Sequence, residues 1–427
     1  ADADSARTFI EGQAKVPDPF LFHSMEAVVG TLGGAIETGR KIVVHGDYDA
    51  DGITATALLV EVLGSLGADV DWYLPNRFEE GYGLSRQAIE AIVARGANIL
   101  VTVDCGVNYP DEVAFARDLG LEVVVVDHHQ PGVRLPACHL IHHVKSDYPH
   151  ADLCGAGLAL KVVHALYVKR FGTARDDLPA ELANKLDLVA LGTIADLAPL
   201  IGENRRYVKE GLRLMNLGKR VGLRVLGRVA GCSGAIDSGA VAFRLAPRLN
   251  AAGRIADASP PLRLLLTVDS EEAESLATEL HELNAARQQL ERRVFEQAVG
   301  RIEGSDSLPS VLVLEAPEWH EGVLGIVAAR LVERYNRPAV LLNVGKTVAK
   351  GSGRSIPAYD LHAGLTECQH LLTVYGGHAQ AAGLTLDPAM VEELRKTLES
   401  HASQVLTPRD LVPQYRADAV VRGEELN

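Results

Sequence analysis

Three short apolar runs in the first third of the chain end at clusters of acidic and histidine residues. They cover residues 41–44, 98–103 and 121–126, and helical apolar spacing separates them at 85–95 and 109–119. β-Branched runs of this length between helices predict buried parallel strands in βαβ units. Ligands of such sheets bind beyond the carboxyl ends of the strands. We therefore expect the acids and histidines to meet at that edge.

The later part of the chain changes to a helical pattern. It is helical after Gly157 and stays mainly so to about Thr267, where a long helix is predicted with Ser270 as its cap and two acids in its first turn. Beyond Gly304 a strand, a helix and a second strand predict another, smaller α/β domain. The predicted architecture is α/β, with a parallel-sheet catalytic domain over 1–268, a connecting helix over 269–303, a substrate-binding domain over 304–400 and a tail over 401–427.

The composition is that of a globular protein, since 47% of the 427 residues are hydrophobic and 23% are charged. The five cysteines are scattered and form no CxxC pair, which favours reduced thiols in the cytoplasm over disulfides. The apolar runs are too short to span a bilayer, and the first residues do not have the features of a signal peptide. Because the chain starts at Ala1 and not at Met, we expect a processed or engineered fragment.

The net charge of −14 disfavours nucleic acid as a partner, because affinity for phosphates comes mainly from Lys and Arg. Two arguments weaken this objection. A site for divalent cations is itself acidic, and the bound ions supply the positive field. A single strand also needs only a local basic groove. The charge alone therefore does not decide the partner.

The segment from His45 to Gly52 carries three alternating carboxylates, those of Asp47, Asp49 and Asp51. Carboxylates this close repel one another unless a cation lies between them. Carboxylate and imidazole ligands together suit Mn²⁺, Fe²⁺ or Zn²⁺ better than Ca²⁺. A solvated cluster that caps the following helix would contain the same residues, so this segment alone leaves both interpretations open.

Further candidates follow the other predicted strands and one helix. Asp104 follows the second strand, where a simple turn residue is an alternative, and Asp196 lies where a helix cap is an alternative. The adjacent His128 and His129 follow the third strand and have no obvious packing role. Ligands contributed by four separate segments indicate a metal centre more specifically than any one segment does.

Together these motifs, within a match from about Phe20 to Ser400, resemble the DHH phosphoesterase family, which is named for the triplet present here as Asp127-His128-His129. The resemblance implies a DHH domain followed by a DHH-associated domain, and two metal ions, either Mn²⁺ or Mg²⁺. It implies that one ion is held by His45, Asp49 and Asp104, and the other by Asp51, Asp104, His128 and Asp196. It leaves Asp47 to orient water or a ligand, and His129 to contact the scissile phosphate or protonate the leaving group. Two ions about 3.5–4 Å apart are suited to phosphodiester hydrolysis.

Four segments resemble nucleic-acid-binding parts of the single-strand-specific exonucleases in this family. Each has an ordinary alternative: a Gly-Tyr-Gly turn at 75–83, a solvated arginine face at 244–254, and a hairpin or helix entry at 350–355 and 375–383. The candidate DNA or phosphate contacts in these segments are Arg77, Tyr82, Arg248, Asn250, Arg254, Ser352, Arg354, Gly376, Gly377 and His378. We assign Arg77, Tyr82, Ser352 and Arg354 to a 5′-phosphate.

By this resemblance we expect a cytoplasmic, monomeric 5′-to-3′ exonuclease that degrades single-stranded DNA in repair and recombination. The polarity rests on the resemblance alone. A single-strand-binding protein or a helicase is a candidate partner in the cell, and no membrane is expected. Exonucleases of this kind commonly continue into an OB-fold, and this chain stops near where that fold would begin, so we expect weaker DNA affinity with catalysis retained.

Two alternatives remain at this point. One is a DHH phosphoesterase that acts on short oligonucleotides or other small phosphoesters, and the other is a replication scaffold that has lost its metals. The intact set of candidate ligands disfavours the scaffold. A smaller departure from the family pattern is His142-His143, where relatives usually have a pair containing proline. We interpret this pair as loop variation, with an adventitious metal site as the alternative.

Overall fold

The computed structural model describes residues 3–12, 14–76, 80–81, 83–305, 307–414, 417 and 420–422. The chain divides into two compact units, Ala1–Ala285 and Ala286–Asn427. None of the described helices has both the length and the apolar character needed to cross a membrane. The division falls inside a single long helix, so the four predicted segment boundaries stay predictions.

The first unit contains a five-stranded sheet and most of the helices. Its strands are β1 (Ile42–His45), β2 (Val70–Tyr73), β3 (Ile99–Val103), β4 (Glu122–Val126) and β5 (His139–Ile141). Its helices are α1 (Ala3–Glu11), α2 (Met25–Thr38), α3 (Ala50–Ser65), α4 (Arg86–Ala94), α5 (Pro110–Asp118), α6 (Gly155–Phe171), α7 (Ala180–Ala183), α8 (Leu186–Ala195), α9 (Gly202–Leu217), α10 (Val221–Val229), α11 (Ser238–Ala240), α12 (Ala246–Ile255) and α13 (Ser259–Leu266). A π-helix (Val241–Leu245) joins α11 to α12, and short 3-10 helices lie at Pro19–Leu21 and His143–Lys145.

The sheet of the first unit has the order β2-β1-β3-β4-β5, and all its pairings are parallel. Alternate strand residues enter different apolar clusters: Val44 and Val101 pack in one, and Val43 and Leu100 in the other. Burial on both faces explains why these strands are continuous apolar runs without polar alternation. The predicted parallel-sheet α/β class is confirmed.

Helix α14 (Ser270–Glu303) is the predicted long helix. Its predicted cap was wrong by one residue. A side-chain oxygen of Asp269, not of Ser270, accepts from the backbone nitrogens of Glu271 at 2.7 Å and Glu272 at 3.2 Å. A carboxylate satisfies these unpaired amides and also favours the positive helix end.

The second unit is the predicted smaller α/β fold. Its strands, β6 (Leu312–Ala316), β7 (Ala339–Val344), β8 (Ala349–Arg354), β9 (Leu372–His378) and β10 (Ala381–Leu386), have the order β6-β7-β8-β10-β9. Its helices are α15 (Glu321–Tyr335), α16 (Leu361–Glu367) and α17 (Val391–Val405), with 3-10 helices at Gln369–Leu371 and Pro388–Met390. Only the β6–β7 pairing is parallel among the described strands of this sheet.

Candidate metal centre

The carboxyl ends of three neighbouring strands carry the candidate ligands. β1 ends at His45, β3 is followed by Asp104, β4 is followed by Asp127, and β3 lies between the other two strands. Asp104 has a φ of 61°, a left-handed conformation that is uncommon for residues other than glycine. Its backbone N–H donates to the oxygen of Val126 at 2.9 Å. The three loops therefore come together at one edge of the sheet.

Three groups of described side chains bring possible ligand atoms within 4.8 Å of one another. The groups are Asp47, Asp49 and Asp104; Asp104, His128 and His129; and Asp51, His128 and Asp196. Asp104 and His128 each belong to two groups, which makes the three groups one continuous centre. The geometry also places Asp47 and His129 among the potential ligands, although the sequence pattern had suggested other roles for them.

Helix ends hold two of the carboxylates in place. Asp49 caps α3 by accepting from the backbone nitrogens of Asp51 at 3.0 Å and Gly52 at 3.1 Å. Asp51 is buried and accepts from the first two amides of α6, those of Gly155 at 2.6 Å and Ala156 at 2.9 Å. A Cβ at Gly155 would lie 2.7 Å from the Cβ of Asp104, so only glycine fits there. Sequence reasoning missed Gly155, whose only signal is a glycine at a helix start.

His45 provides a buried imidazole nitrogen that suits a metal. Its Nδ1 lies 3.6 Å from the sulfur of Cys105, and its ring stacks on Tyr73 with centroids 5.6 Å apart. Burial lowers the pKa of His45 to about 4, so the ring is neutral near pH 7. Its Nε2 is buried and has no hydrogen-bond partner among the residues that the structure describes. A buried imidazole nitrogen without a hydrogen-bond partner fits a metal ligand. His45 is nevertheless not a member of the three groups whose possible ligand atoms lie within 4.8 Å of one another among the described residues.

The pair His128-His129 is organised by Asp127, which sequence reasoning named in the triplet without a role. Nε2 of His128 lies 3.0 Å from Oδ1 of Asp104. Asp127 accepts from both histidine backbone nitrogens and from Val107, and its Oδ1 lies 2.8 Å from Nδ1 of His129. Burial by itself lowers the pKa of His129, but the Asp127 hydrogen bond and nearby carboxylates raise it to about 9. Asp127 thus fixes the turn that presents both rings.

The protein groups by themselves make this centre unfavourable to charged carboxylates. Burial, followed by repulsion from neighbouring acids, raises the pKa of Asp104 well above its ordinary value. The same causes raise the pKa of Asp196 to about 8, and burial also raises the pKa of Asp51. Bound cations would relieve this repulsion. The donor set therefore fits divalent metal ions.

Comparison with known proteins identifies the family. Residues 41–193 match the model of the DHH family, N-terminal domain, and residues 308–404 match that of the DHHA1 domain. The chain is 38% identical to the single-stranded-DNA-specific exonuclease RecJ of Salmonella typhimurium, over 94% of this chain and 73% of that protein. The chain belongs to the RecJ family. The resemblance to the DHH phosphoesterases is thereby confirmed.

Two further RecJ proteins show how much of the family's length is present. The RecJ of Bacillus subtilis is 41% identical, and the match covers 99% of this chain but 53% of that relative. The chain thus spans about half the length of this curated relative. A crystal structure of exonuclease RecJ bound to manganese superposes with a TM-score of 0.80 at 39% identity, covering 91% of this chain and 97% of the other.

The RecJ-like arginine segment of the first unit runs from Arg244 in the π-helix along α12. Asn250 accepts from the backbone nitrogen of Ala50 at 2.7 Å, so its amide oxygen supports the metal loop, the segment 45–51 that leads from β1 into the first turn of α3. Arg248 donates to the backbone oxygen of Arg244 at 2.7 Å and lies 3.2 Å from Nδ1 of His281. The half-buried Arg254 lies on the same helix, whereas Arg77 and Tyr82 lie outside the described residues.

The RecJ-like glycine motifs of the second unit align across neighbouring strands. Gly383 of β10 pairs with Ser352 on one side and Gly376 on the other, and Ala381 pairs with Arg354 and His378. Adjacent strands lie about 4.8 Å apart, so each motif is roughly 10 Å from its counterpart. The candidates therefore share one region of this sheet.

A side chain larger than glycine would clash at Gly377, and also at Gly325, which packs against two of the candidates. Gly377 has a φ of 136°, and a Cβ there would lie 2.3 Å from the oxygen of Ala381. A Cβ at Gly325, on α15, would lie 2.9 Å from both the guanidinium of Arg354 and the hydroxyl of Ser352. The strand end carrying Gly376, Gly377 and His378 is exposed. The backbone here is thus open to a close approach by a ligand.

Proposed function

We propose that the chain is a metal-dependent exonuclease that hydrolyses single-stranded DNA from the 5′ end towards the 3′ end, in DNA repair and recombination. The observation that carries this proposal is the continuous centre in which Asp104 and His128 are each shared between ligand groups. A carboxylate such as Asp104 at the junction of two ligand groups suits a pair of metal ions that lie close together, as in two-metal phosphodiesterases. The single-stranded-DNA-specific exonucleases among the relatives support the choice of substrate.

The residues proposed to hold two divalent ions are those of the family pattern. One ion would be held by His45, Asp49 and Asp104, and the other by Asp51, Asp104, His128 and Asp196. We favour Mn²⁺, with Mg²⁺ as the alternative, because the ligands mix carboxylate and imidazole and a similar structure is described as bound to manganese. When bound, the ions supply an activated water and neutralise charge on the phosphoryl group.

The remaining residues of the centre are assigned positioning or proton-transfer roles. Asp47 would orient water or the ligands around the first ion. His129, held by Asp127, would contact the scissile phosphate or protonate the leaving oxygen. Arg77, Tyr82, Ser352 and Arg354 would hold the 5′-phosphate.

The other proposed DNA or phosphate contacts are Arg248, Asn250, Arg254, Gly376, Gly377 and His378. For Asn250 the role would be indirect, since its oxygen already supports the metal loop. We also propose that the enzyme is a cytoplasmic monomer, and that a single-strand-binding protein or a helicase supplies its substrate in the cell.

The proposal is tested by hydrolysis of a long 5′-phosphorylated strand, its duplex form and a dinucleotide, each with Mn²⁺, Mg²⁺ or EDTA. We expect release of mononucleotides from the single strand but not from the duplex, only with a metal present, and slower cleavage of the dinucleotide than of the long strand. Asp104→Ala should abolish the activity. The control is Asp118→Ala, an exposed acid at the end of α5, which leads into the opposite edge of the sheet. Activity on the dinucleotide alone would instead favour a small-substrate phosphoesterase.

The proposed grip on the 5′-phosphate needs its own comparison. Arg354→Ala is measured on strands with a 5′-phosphate and with a 5′-hydroxyl. We expect a larger loss on the phosphorylated strand, because a guanidinium binds phosphate through charge-assisted hydrogen bonds. An equal loss on both strands would overturn this assignment.

A further inference from the structure

A recess with a volume of about 440 Å³ lies beside the π-helix of the first unit, between that helix and the loop at 232–237. Phe243 and Arg244 of the π-helix and Ser233 of the loop contribute to its lining. Recesses of this size are typical of sites for small ligands. π-Helical turns are rare and occur frequently at functional sites. Its volume and the adjacent π-helix both indicate a candidate ligand site.

Phe243 is unusually exposed for an aromatic residue. It is 83% exposed, compared with 56% for Phe171 and 47% for Phe9. An exposed phenylalanine contributes little to the stability of this unit, because burial is what makes an aromatic side chain stabilising. Its position is better explained by a ligand with an apolar, flat face.

The charged side chains next to Phe243 indicate which chemical group such a ligand carries. Arg244 is exposed and is positioned by a hydrogen bond from Nη1 to the oxygen of Gly231 at 2.7 Å. The acid at the recess, Asp237, is engaged as a helix cap, accepting from the backbone nitrogen of Ala240 at 2.7 Å. An aromatic face beside a guanidinium is the combination that binds a stacked base together with its phosphate.

The recess is connected to the metal centre through α12. The π-helix runs directly into α12, whose Asn250 contacts Ala50 at 2.7 Å in the metal loop. On the same helix, a Cβ at Gly253 would lie 2.7 Å from the oxygen of Tyr48. Phe243 precedes Asn250 by seven positions, roughly 10 Å along a helix axis at about 1.5 Å per residue. That separation corresponds to about three stacked nucleotides.

We propose that Phe243 and Arg244 form a nucleotide subsite, in which a base of the single strand stacks on the Phe243 ring and its phosphate binds Arg244. Measured along the helix, the subsite lies roughly three stacked nucleotides from Asn250, which contacts the metal loop. It rests on the proposed function for its substrate class, and it adds a contact outside the metal centre and outside the second unit. A dinucleotide bound at the metals is too short to reach it.

The subsite is tested with Phe243→Ala, Phe243→Leu and Phe243→Trp, using a 12-residue oligodeoxythymidine and a dinucleotide as substrates. Base stacking on an aromatic ring predicts that KM for the 12-mer rises about tenfold in the Ala and Leu variants. The Trp variant should keep the wild-type KM. The value of kcat on the 12-mer, and kcat/KM on the dinucleotide, should not change in any variant.

Phe171→Ala is the matched control. Phe171 is also exposed, but it ends α6, sixteen positions or roughly 24 Å from the Gly155 end that contacts the metal loop. Equal melting temperatures of the variants verify that each one folds. A KM for the 12-mer within twofold of the control, or an equal loss on the dinucleotide, would overturn the subsite.

Binding of the fluorescently labelled 12-mer in EDTA separates the subsite from the proposed function. Phe243→Ala should weaken this binding about tenfold, whether or not the strand is cleaved. If wild type hydrolyses neither substrate but the Phe243 effect on binding is seen, the exonuclease proposal fails and the subsite stands. If wild type hydrolyses the 12-mer normally but Phe243→Ala does not weaken its binding, the subsite fails and the exonuclease proposal stands.

Discussion

The buried ring of His142 donates a hydrogen bond from Nε2 to the backbone oxygen of His129, at 2.8 Å. Its Nδ1 accepts from the backbone nitrogen of Val144 at 3.1 Å. Burial lowers the pKa of His142, which favours this neutral form of the ring. Both ring nitrogens are engaged, so His142 has none left for a metal ion. His142 therefore supports the turn that carries His128 and His129.

Replacing His142 should slow hydrolysis without removing a ligand. We expect His142→Ala to lower kcat about 10–100-fold, the usual effect of removing a group that orients metal ligands. His142→Gln, whose amide can donate to the same carbonyl, should recover part of the loss. The measurement is steady-state kinetics together with Mn²⁺ titration. His143→Ala is the matched control, and an equal effect of the two Ala variants would contradict the supporting role.

Neutralising Asp104 should stabilise the metal-free protein while removing activity. Burial and the neighbouring acids raise the pKa of Asp104, so its charge costs the folded state free energy near pH 7. Asp104→Asn keeps an oxygen facing His128, which lies 3.0 Å away. In EDTA we expect a higher Tm, by about 2–4 °C for each kcal/mol gained. Mn²⁺ should raise the Tm of wild type much more than that of the variant.

Asp187→Asn serves as the control of opposite sign, because Asp187 is buried but paired with Arg220 at 2.7 Å. Its neutralisation should lower the Tm in EDTA. A lower Tm for Asp104→Asn as well would show that charge repulsion does not dominate the metal-free centre.

Replacing only one partner of the ion pair of Lys161 and Glu203 should strongly lower the free energy of unfolding. The two side chains are buried, with Nζ and Oε2 2.6 Å apart, and the hydroxyls of Tyr148 and Tyr207 also donate to the carboxylate. Lys161→Met leaves a buried charge without its cation and should cost about 3–5 kcal/mol in urea unfolding. The double variant with Glu203→Gln should recover part of this cost.

A surface lysine offers the comparison for that ion pair. Lys169 pairs with Glu26 while both side chains are about three-fifths exposed, so Lys169→Met should cost about 0–1 kcal/mol. Similar losses for Lys161→Met and Lys169→Met would contradict the importance of burial.

Glu61 should make stability depend on acid pH. Burial opposes its charge, but hydrogen bonds from Arg220 and Lys185 outweigh burial and hold the pKa of Glu61 below its ordinary value of 4.5. A depressed folded-state pKa adds stability that is full above pH 4.5 and is lost as pH falls through the folded value. The gap in unfolding free energy between wild type and Glu61→Gln should therefore narrow below pH 4.5. Parallel curves in urea unfolding from pH 7 to pH 3 would contradict this linkage.

The pattern of apolar and polar residues along the chain was sufficient to predict the strands and the long helix. It also predicted the edge of the sheet at which the candidate metal ligands lie. Apolar runs buried on both faces predict parallel strands, and the strand ends after Val44, Val103 and Val126 carry the acids and histidines. Apolar spacing likewise predicts α14, but the choice of Asp269 over Ser270 as its cap depends on backbone geometry. Apolar periodicity depends on residues that are close in the chain, so it can be recognised without knowledge of the fold.

Contacts between distant residues were decided by the tertiary structure alone. Nothing in the sequence pattern indicates that Gly155 packs against Asp104, that Asn250 supports Ala50, or that His142 holds the carbonyl of His129. Asn250 and Ala50 are 200 positions apart, and their contact exists only after α12 packs on the loop that begins α3. The sequence by itself determined which residue types end the strands, and the packing decided which of them touch, because hydrogen bonds and close contacts depend on distances in space.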